Sequence, residues 1–122
     1  RYMKVLLLLA PVSKTIGYNG KGDFIIKSKS TVSRIERINN NKNNKGFVFT
    51  GWQIINKEIF DNIEKDNFSL NLLYDIAQRQ KSLFATTLDG YFLHASTPKS
   101  IIQIERFLNV KKKYLDEKNY IL

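Results

Sequence analysis

The chain has 122 residues, of which 43% are hydrophobic and 25% are charged. These ordinary globular proportions argue against a disordered chain, and the length predicts one domain, or one part of a domain, over residues 1–122. The chain has no cysteine and one histidine, which excludes disulfides, thiolate metal sites and clusters of histidine ligands. We also find no Ser-His-Asp triad and no pair of acid–base carboxylates.

The formal net charge is +9, and the basic excess lies in the first third of the chain. Residues 1–45 hold ten Lys or Arg against two acids, whereas residues 46–122 hold ten against nine. A basic chain can bind the phosphates of nucleic acid, but here the basic residues are spread among predicted loops. We interpret the charge as a solvated basic surface, with a small nucleic-acid-binding module as an alternative.

The first predicted element is the apolar run from Val5 to Ala10. It is short for the core of a signal peptide and far too short to span a bilayer, so we expect a cytoplasmic protein without a membrane partner. Uninterrupted apolar runs are typical of strands covered on both faces of an α/β sheet. The predicted helices are too few to supply that cover, so we expect a preceding half of the fold to be missing.

Three further strands follow in the first half of the chain. The stretches DFIIKSK and TVSRIER predict a β-hairpin, and GFVFTGWQII predicts a longer strand. Between them, the Asn- and Lys-rich residues 39–46 predict an exposed loop. Glycine weakens a strand, so Gly51 indicates either a bulge or a place where another group approaches the backbone. We expect Trp52 to pack in the core, with stacking on a bound ligand as the alternative.

Three capped helices and a second hairpin complete the predicted elements. Asn56, Ser69 and Thr97 are suitable N-caps, and Pro98 suits the first position of the last helix. Between the second and third helices, SLFATTL and GYFLHA predict a hairpin that turns at Asp89-Gly90. The last helix carries an apolar stripe of Ile101, Ile104, Phe107, Leu108 and Leu115. Together these elements predict an α/β fold with a mixed sheet and flanking helices.

Over nearly the whole chain, the order of these motifs resembles the C-terminal half of sugar-1-phosphate nucleotidyltransferases. The branch most similar in text is the bacterial one that acts on N-acetylmuramate or mannose 1-phosphate. The resemblance lies in KGDF at 21–24, in FVFTGWQII, in the FSL helix start, and in HASTP, where the family has D-x-G-T-P. It implies the sugar-binding half of a Rossmann-like fold, with the nucleotide-binding half absent from these residues.

The resemblance also implies roles for five residues. Asp23, Thr50, Gly51 and Thr97 would contact the sugar 1-phosphate, and His94 would stand at the family's Mg²⁺-binding aspartate. Imidazole is a poor substitute for a carboxylate on Mg²⁺, so a half-buried histidine bonded to backbone is the alternative for His94. The alternatives for Asp23 and Thr97 are a turn residue and a helix cap.

The implied activity is transfer of a nucleotidyl group from an NTP to a sugar 1-phosphate, giving an NDP-sugar and pyrophosphate. The family's Mg²⁺ would be the cofactor, and catalysis would rest on positioning and electrostatics. We assign no catalytic residue, and we expect the chain to be inactive alone because the triphosphate-binding loop belongs to the missing half, which could be a separate partner. A non-catalytic interaction domain that docks through the Val5–Ala10 strand is a further alternative.

Overall fold

The computed structural model describes residues 3–28, 30–38, 46–61, 63–64 and 66–117, with side chains through residue 113. The predicted loop at 39–46 therefore lies outside the described residues except for Gly46. Two short 3₁₀ helices occupy Val12–Lys14 and Lys57–Phe60. The described strands are β1 (Val5–Pro11), β2 (Thr15–Ile16), β3 (Phe24–Ile26), β4 (Ser33–Arg37), β5 (Phe47–Ile55), β6 (Leu83–Thr87) and β7 (Phe92–Leu93), and the α-helices are α1 (Leu70–Arg79) and α2 (Pro98–Glu117).

Five strands form a closed barrel in the order β1-β5-β3-β4-β6. The barrel closes where β1 and β6 pair in parallel, with Val5 opposite Leu83 and Leu9 opposite Thr87. The other neighbours in the barrel are antiparallel, and they include the predicted hairpin of β3 and β4. The structure thus confirms a mixed α/β protein, while closure of the sheet into a barrel was not predicted.

Strand β1 is hydrogen-bonded on both sides, to β5 and to β6. It therefore has no free edge, so docking through the Val5–Ala10 strand, which stays a prediction, would have to use its outward face. Val5, Leu7 and Leu9 are fully buried inside the barrel, whereas Leu6 and Leu8 on the outward face are half-buried. The predicted cover on both faces is complete on one face only.

Strand β5 is interrupted by a bulge at Gly51. Leu7 lies opposite Gln53 and Leu9 opposite Phe49, so β5 advances four residues while β1 advances two. Gly51 has φ +93°, and a Cβ added there would meet no atom within 4 Å. The backbone conformation, rather than a close neighbour within the described chain, therefore favours glycine, as in a bulge.

Helix α1 closes one side of the core. Its Leu73, Tyr74 and Ala77 are buried with the β1 leucines, and the rings of Phe24 and Phe49 pack edge-on to Tyr74. The predicted N-caps are confirmed, since the Asn56 side chain accepts from Glu58 N at 3.0 Å and the Ser69 side chain accepts from Asn71 N at 3.2 Å. These bonds are local, so the sequence alone identified them.

The predicted hairpin between β6 and β7 is wrong. Asp89-Gly90 does lie between the two strands, but β7 pairs in parallel with β2, with Thr15 opposite Phe92, in a separate two-stranded sheet. Both edges of β6 are already paired with β1 and β4. No edge of β6 remains for β7, so the chain leaves the barrel at this turn.

Helix α2 packs against β2 through its first turns. Thr97 caps it as predicted, and Ser100 and Ile104 are buried. Four other apolar side chains of α2 are 47–68% exposed, namely Ile101, Ile102, Leu108 and Val110. The predicted stripe is thus covered in part, since Ile104 is buried and Phe107 half-buried while Ile101 and Leu108 are exposed. The Leu115 side chain lies outside the described part. None of the described helices combines the length and the apolar character that crossing a membrane requires.

Candidate functional site

Three of the predicted substrate residues lie together at the bulge. The Asp23 carboxylate accepts a hydrogen bond from Phe49 N, with Oδ2 at 2.9 Å, and Phe49 directly precedes Thr50 and Gly51. The Thr50 hydroxyl donates to Leu8 O at 2.8 Å, which ties the bulge to β1. The Asp23 carboxylate therefore bonds to the backbone of β5, 26 residues later in the chain, rather than to the backbone of its own turn. It is exposed and retains a second oxygen that can accept hydrogen bonds.

A cavity of about 330 Å³ lies beside this cluster. Its polar lining comprises Asp23, Arg37, Asn71 and Tyr74, and its apolar lining comprises Phe24, Ile38 and Phe49. A pocket with an apolar wall and a few convergent polar groups suits a small polar ligand such as a sugar.

Two hydrogen-bonded pairs fix the wall of this cavity that α1 supplies. Arg37 Nη1 donates to both carboxylate oxygens of Asp75, at 2.9 and 3.0 Å. The Tyr74 hydroxyl donates to Gln53 Oε1 at 2.6 Å. Burial raises the pKa of Tyr74, and the bond to Gln53 opposes part of that rise. Tyr74 therefore stays a neutral hydrogen-bonding group in the physiological range.

Tyr18 connects this cluster to His94. Its hydroxyl accepts a hydrogen bond from Gly22 N at 3.1 Å, and its ring lies edge-on to the His94 ring with centroids 5.7 Å apart. Because Gly22 precedes Asp23, one side chain contacts both the loop that carries Asp23 and the loop that carries His94. Sequence reasoning did not single out Tyr18, although its place among three glycines was a usable signal.

The surroundings of His94 are aromatic. Its side chain is half-buried against Tyr18 and Phe92, the second ring centroid lying 6.0 Å away, and its backbone N donates to Ile16 O at 2.8 Å. Among the described residues, no group of three or more His, Asp or Glu side chains could hold a metal ion. Mg²⁺ prefers oxygen ligands, so the residues around His94 do not fit a magnesium site.

Thr97 takes part in a reciprocal cap at the start of α2. Its hydroxyl accepts from Ser100 N at 3.1 Å, while the Ser100 hydroxyl accepts from Thr97 N at 2.9 Å and from Ser96 N at 3.0 Å. These backbone N–H groups are thus used within the chain, and capping accounts for Thr97. Contact of Thr97 with a phosphate stays a prediction. Ser100 was missed although it stands at the third helical position, where the second partner of a reciprocal cap is found.

Trp52 does not pack in the core, contrary to the prediction. Its side chain is 76% exposed, one residue beyond the bulge, and Ile54 on the same outward face is also exposed. Phe49 packs against the core, so alternation along β5 places Trp52 and Ile54 on the outward face, and the two extra residues at the bulge keep that alternation. Which face of this strand lies inward was not readable from the sequence. The exposed indole directly follows Thr50 and Gly51, which with Asp23 form what we call the Asp23 cluster, and it is available for stacking.

No protein-family model matches the chain, and no curated protein matches it. We therefore base the function on the residue order and on the geometry at the bulge.

Proposed function

We propose that this chain is the sugar-phosphate-binding half of a sugar-1-phosphate nucleotidyltransferase. The observation that carries the proposal is the hydrogen bond from Phe49 N to the Asp23 carboxylate, directly beside Thr50-Gly51. A substrate that contacts both the KGDF and the FVFTGWQII motif requires these residues to lie together. Tyr18 adds a physical connection from this cluster to His94. Four of the five residues that the resemblance implies thus belong to one connected set of loops.

In this proposal the chain belongs to a larger Rossmann-like fold. The parallel pair of β1 and β6 is the feature that suits such a fold, because parallel strands occur mainly in α/β sheets covered on both faces. The half-buried Leu6 and Leu8 and the exposed Trp52 and Ile54 provide apolar surface for the other half to cover. In this arrangement the other half would dock on the outward face of β1 and β5 rather than along a strand edge.

The chain's own residues would bind and orient the acceptor. The Asp23 carboxylate would accept hydrogen bonds from sugar hydroxyls, the Gly51 bulge would let the sugar approach the backbone, and Trp52 would stack on its apolar face. An oxygen of the sugar phosphate would then attack the α-phosphate of the NTP, and pyrophosphate would leave. Orientation of this oxygen would be the catalytic contribution of this half.

Magnesium belongs to the proposal only through the assembled enzyme. When bound, Mg²⁺ would neutralise charge on the phosphates of the NTP. We assign no step to it here, because His94 offers an imidazole among aromatic rings rather than a carboxylate. His94 would instead position the loop that leads to Thr97.

The proposal is tested by calorimetric titration of the chain with glucose, mannose, N-acetylglucosamine and N-acetylmuramate 1-phosphates. Asp23→Asn keeps an oxygen that can accept from Phe49 N but removes the charge, so we expect binding of the preferred sugar phosphate to weaken roughly tenfold or more. Asp66→Asn removes the same charge from an exposed position outside the cluster and should leave binding unchanged. Equal affinity for Asp23→Asn and the unsubstituted chain would refute the role of Asp23.

Catalysis requires a second measurement. The chain is combined with the protein encoded directly upstream, and pyrophosphate release from an NTP and the preferred sugar phosphate is followed. Release that depends on both proteins supports a split enzyme, whereas binding without any release limits this chain to sugar-phosphate recognition. The nucleic-acid-binding and interaction-domain alternatives stay predictions, and retention of labelled RNA or DNA at low salt is the measurement that tests the first.

A further inference from the structure

A cavity of about 460 Å³ lies between β4, the end of α1 and the start of β6. Its floor is apolar and includes Ile35 and Leu83, both buried. Four cationic side chains line it, and its one carboxylate, Glu36, is paired with a cation at 2.9 Å. The cations are Lys27, Arg34, Arg79 and Lys81. We call this cavity the basic groove.

The cations of the basic groove come from two separate parts of the chain. Arg79 and Lys81 lie at the C-terminal end of α1, where the helix dipole by itself favours positive charge. Lys27 and Arg34 belong to the hairpin of β3 and β4 on the facing wall, which that dipole does not explain. Lys27 is paired with Glu36, so the hairpin wall keeps the charge of Arg34 alone. Two walls that present like charge to one space repel each other unless an anion lies between them.

Lys81 lines the groove in a backbone conformation that disfavours lysine. It has φ +54° and is the one non-glycine residue with positive φ among those the structure describes. The helix ends there in a Schellman motif, with Ser82 N donating to Ala77 O at 2.8 Å and Lys81 N to Gln78 O at 3.0 Å. Glycine is usual at this position because a Cβ raises its energy. A strained residue at a cavity wall points to a use for its side chain.

Gln78 adds an uncharged donor between the two walls. Its Oε1 accepts from Arg37 N at 2.9 Å, which fixes the side chain and leaves its amide nitrogen as a donor on the groove lining. The groove therefore offers ammonium, guanidinium and amide donors above an apolar floor. One guanidinium group can donate two parallel hydrogen bonds to the oxygens of a phosphate. A groove lined by two arginines therefore suits a phosphate ligand.

We propose that the basic groove binds a small ligand that carries a chain of phosphates. Its volume is in the range of small-molecule sites, and its lining has a net charge of +3 once Lys27 is paired with Glu36. Single-stranded nucleic acid is usually held by aromatic stacking as well as charge, and no aromatic side chain lines the groove among the described residues. The site is separate from the Asp23 cluster and does not depend on sugar-phosphate binding there.

Inorganic triphosphate is the probe that tests the proposal, titrated calorimetrically into the chain at fixed ionic strength without divalent cations. We expect Arg34→Gln and Arg79→Gln each to weaken binding roughly tenfold or more. Lys14→Gln and Lys57→Gln remove the same charge from exposed positions outside the groove and should leave the affinity within about twofold. Equal losses in all four variants would overturn the proposal, because only net charge would then matter.

Lys81→Gly separates binding from folding. It removes a cation from the groove and places the residue best suited to φ +54° there, so triphosphate affinity should fall while the melting temperature rises. Unchanged affinity with a raised melting temperature would remove Lys81 from the site and refute the functional interpretation of its conformation.

Three competing ligands identify the source of the phosphates. Equal affinity for ATP and triphosphate supports recognition of the phosphate chain alone, and tighter binding of ATP supports a nucleotide ligand. Sulfate binding as tightly as triphosphate would overturn the proposal. So would a single-stranded 20-mer that binds more tightly than triphosphate with a steep salt dependence, since that result favours nucleic acid.

Discussion

The barrel and the C-terminal side of the molecule differ in how completely they cover their own apolar residues. In the barrel, Val5, Leu7 and Leu9 lose all contact with solvent, and α1 adds Leu73 to the same core. On the other side, β2 and β7 are two residues long, and α2 buries little beyond its first two turns. The barrel can therefore hold Asp23 and Thr50 in place by itself, whereas the segment that carries His94 and Thr97 has few contacts to fix it.

The largest expected effect tests this difference directly. Leu7→Ala should lower the free energy of unfolding by about 3 to 4 kcal/mol, since it leaves a cavity in the barrel core. Leu108→Ala, on the exposed face of α2, should cost less than about 1 kcal/mol. Urea denaturation of both variants is the measurement. Similar losses would show that α2 is covered in solution and would remove the contrast.

A smaller effect is expected where the two regions meet, at Gly17. A Cβ on Gly17 would lie 2.6 Å from His94 O and 2.9 Å from Ser100 Cβ, at φ +86°. Gly17→Ala should therefore cost roughly 2 to 3 kcal/mol, combining backbone strain with displacement of the His94 segment. Gly51→Ala is the matched control, because it has a similar φ but open space, and it should cost about 1 kcal/mol. If urea denaturation gave equal losses of unfolding free energy for the two variants, the His94 segment would be shown to move aside at little energetic cost.

The smallest effect belongs to Tyr74, which lies wholly on the barrel side. Tyr74→Phe removes the 2.6 Å bond to Gln53 and should cost about 1 kcal/mol at pH 7. Because burial raises the pKa of Tyr74, its contribution is fully present below about pH 10 and is lost as pH rises through the folded-state pKa. Unfolding free energies between pH 8 and 11 should thus fall less steeply for Tyr74→Phe. Parallel curves would contradict the raised pKa.

The sequence predicted what depends on neighbours along the chain. The caps at Asn56, Ser69 and Thr97 involve residues two or three positions away, and each was identified. The β3–β4 hairpin is also local. The predicted hairpin at Asp89-Gly90 was wrong because the partner of β7 lies 77 residues earlier, at β2. Such pairings follow from which strand edges remain free, and a single strand does not encode that.

The same distinction applies to the candidate sites. Asp23 and Thr50 were named separately, and only the fold brings them to one bulge. Trp52 lies on the outward face of β5, three residues after the inward-facing Phe49, so its predicted place in the core was wrong. The basic groove had no sequence signal, because its cations are interleaved with other lysines along the chain. To predict the positive φ of Lys81, one would have to know that α1 ends in a Schellman motif without its usual glycine.

The closure of the barrel by β1 and β6 has a consequence for how the protein reaches its fold. Val5 pairs with Leu83, so the ladder that completes the barrel forms only after some eighty residues have been synthesised. Until then VLLLLAP, an uncharged apolar stretch, has one edge without its native partner. Truncation before Leu83 should therefore yield aggregates rather than a smaller folded unit, because stretches of this composition pair readily with copies of themselves.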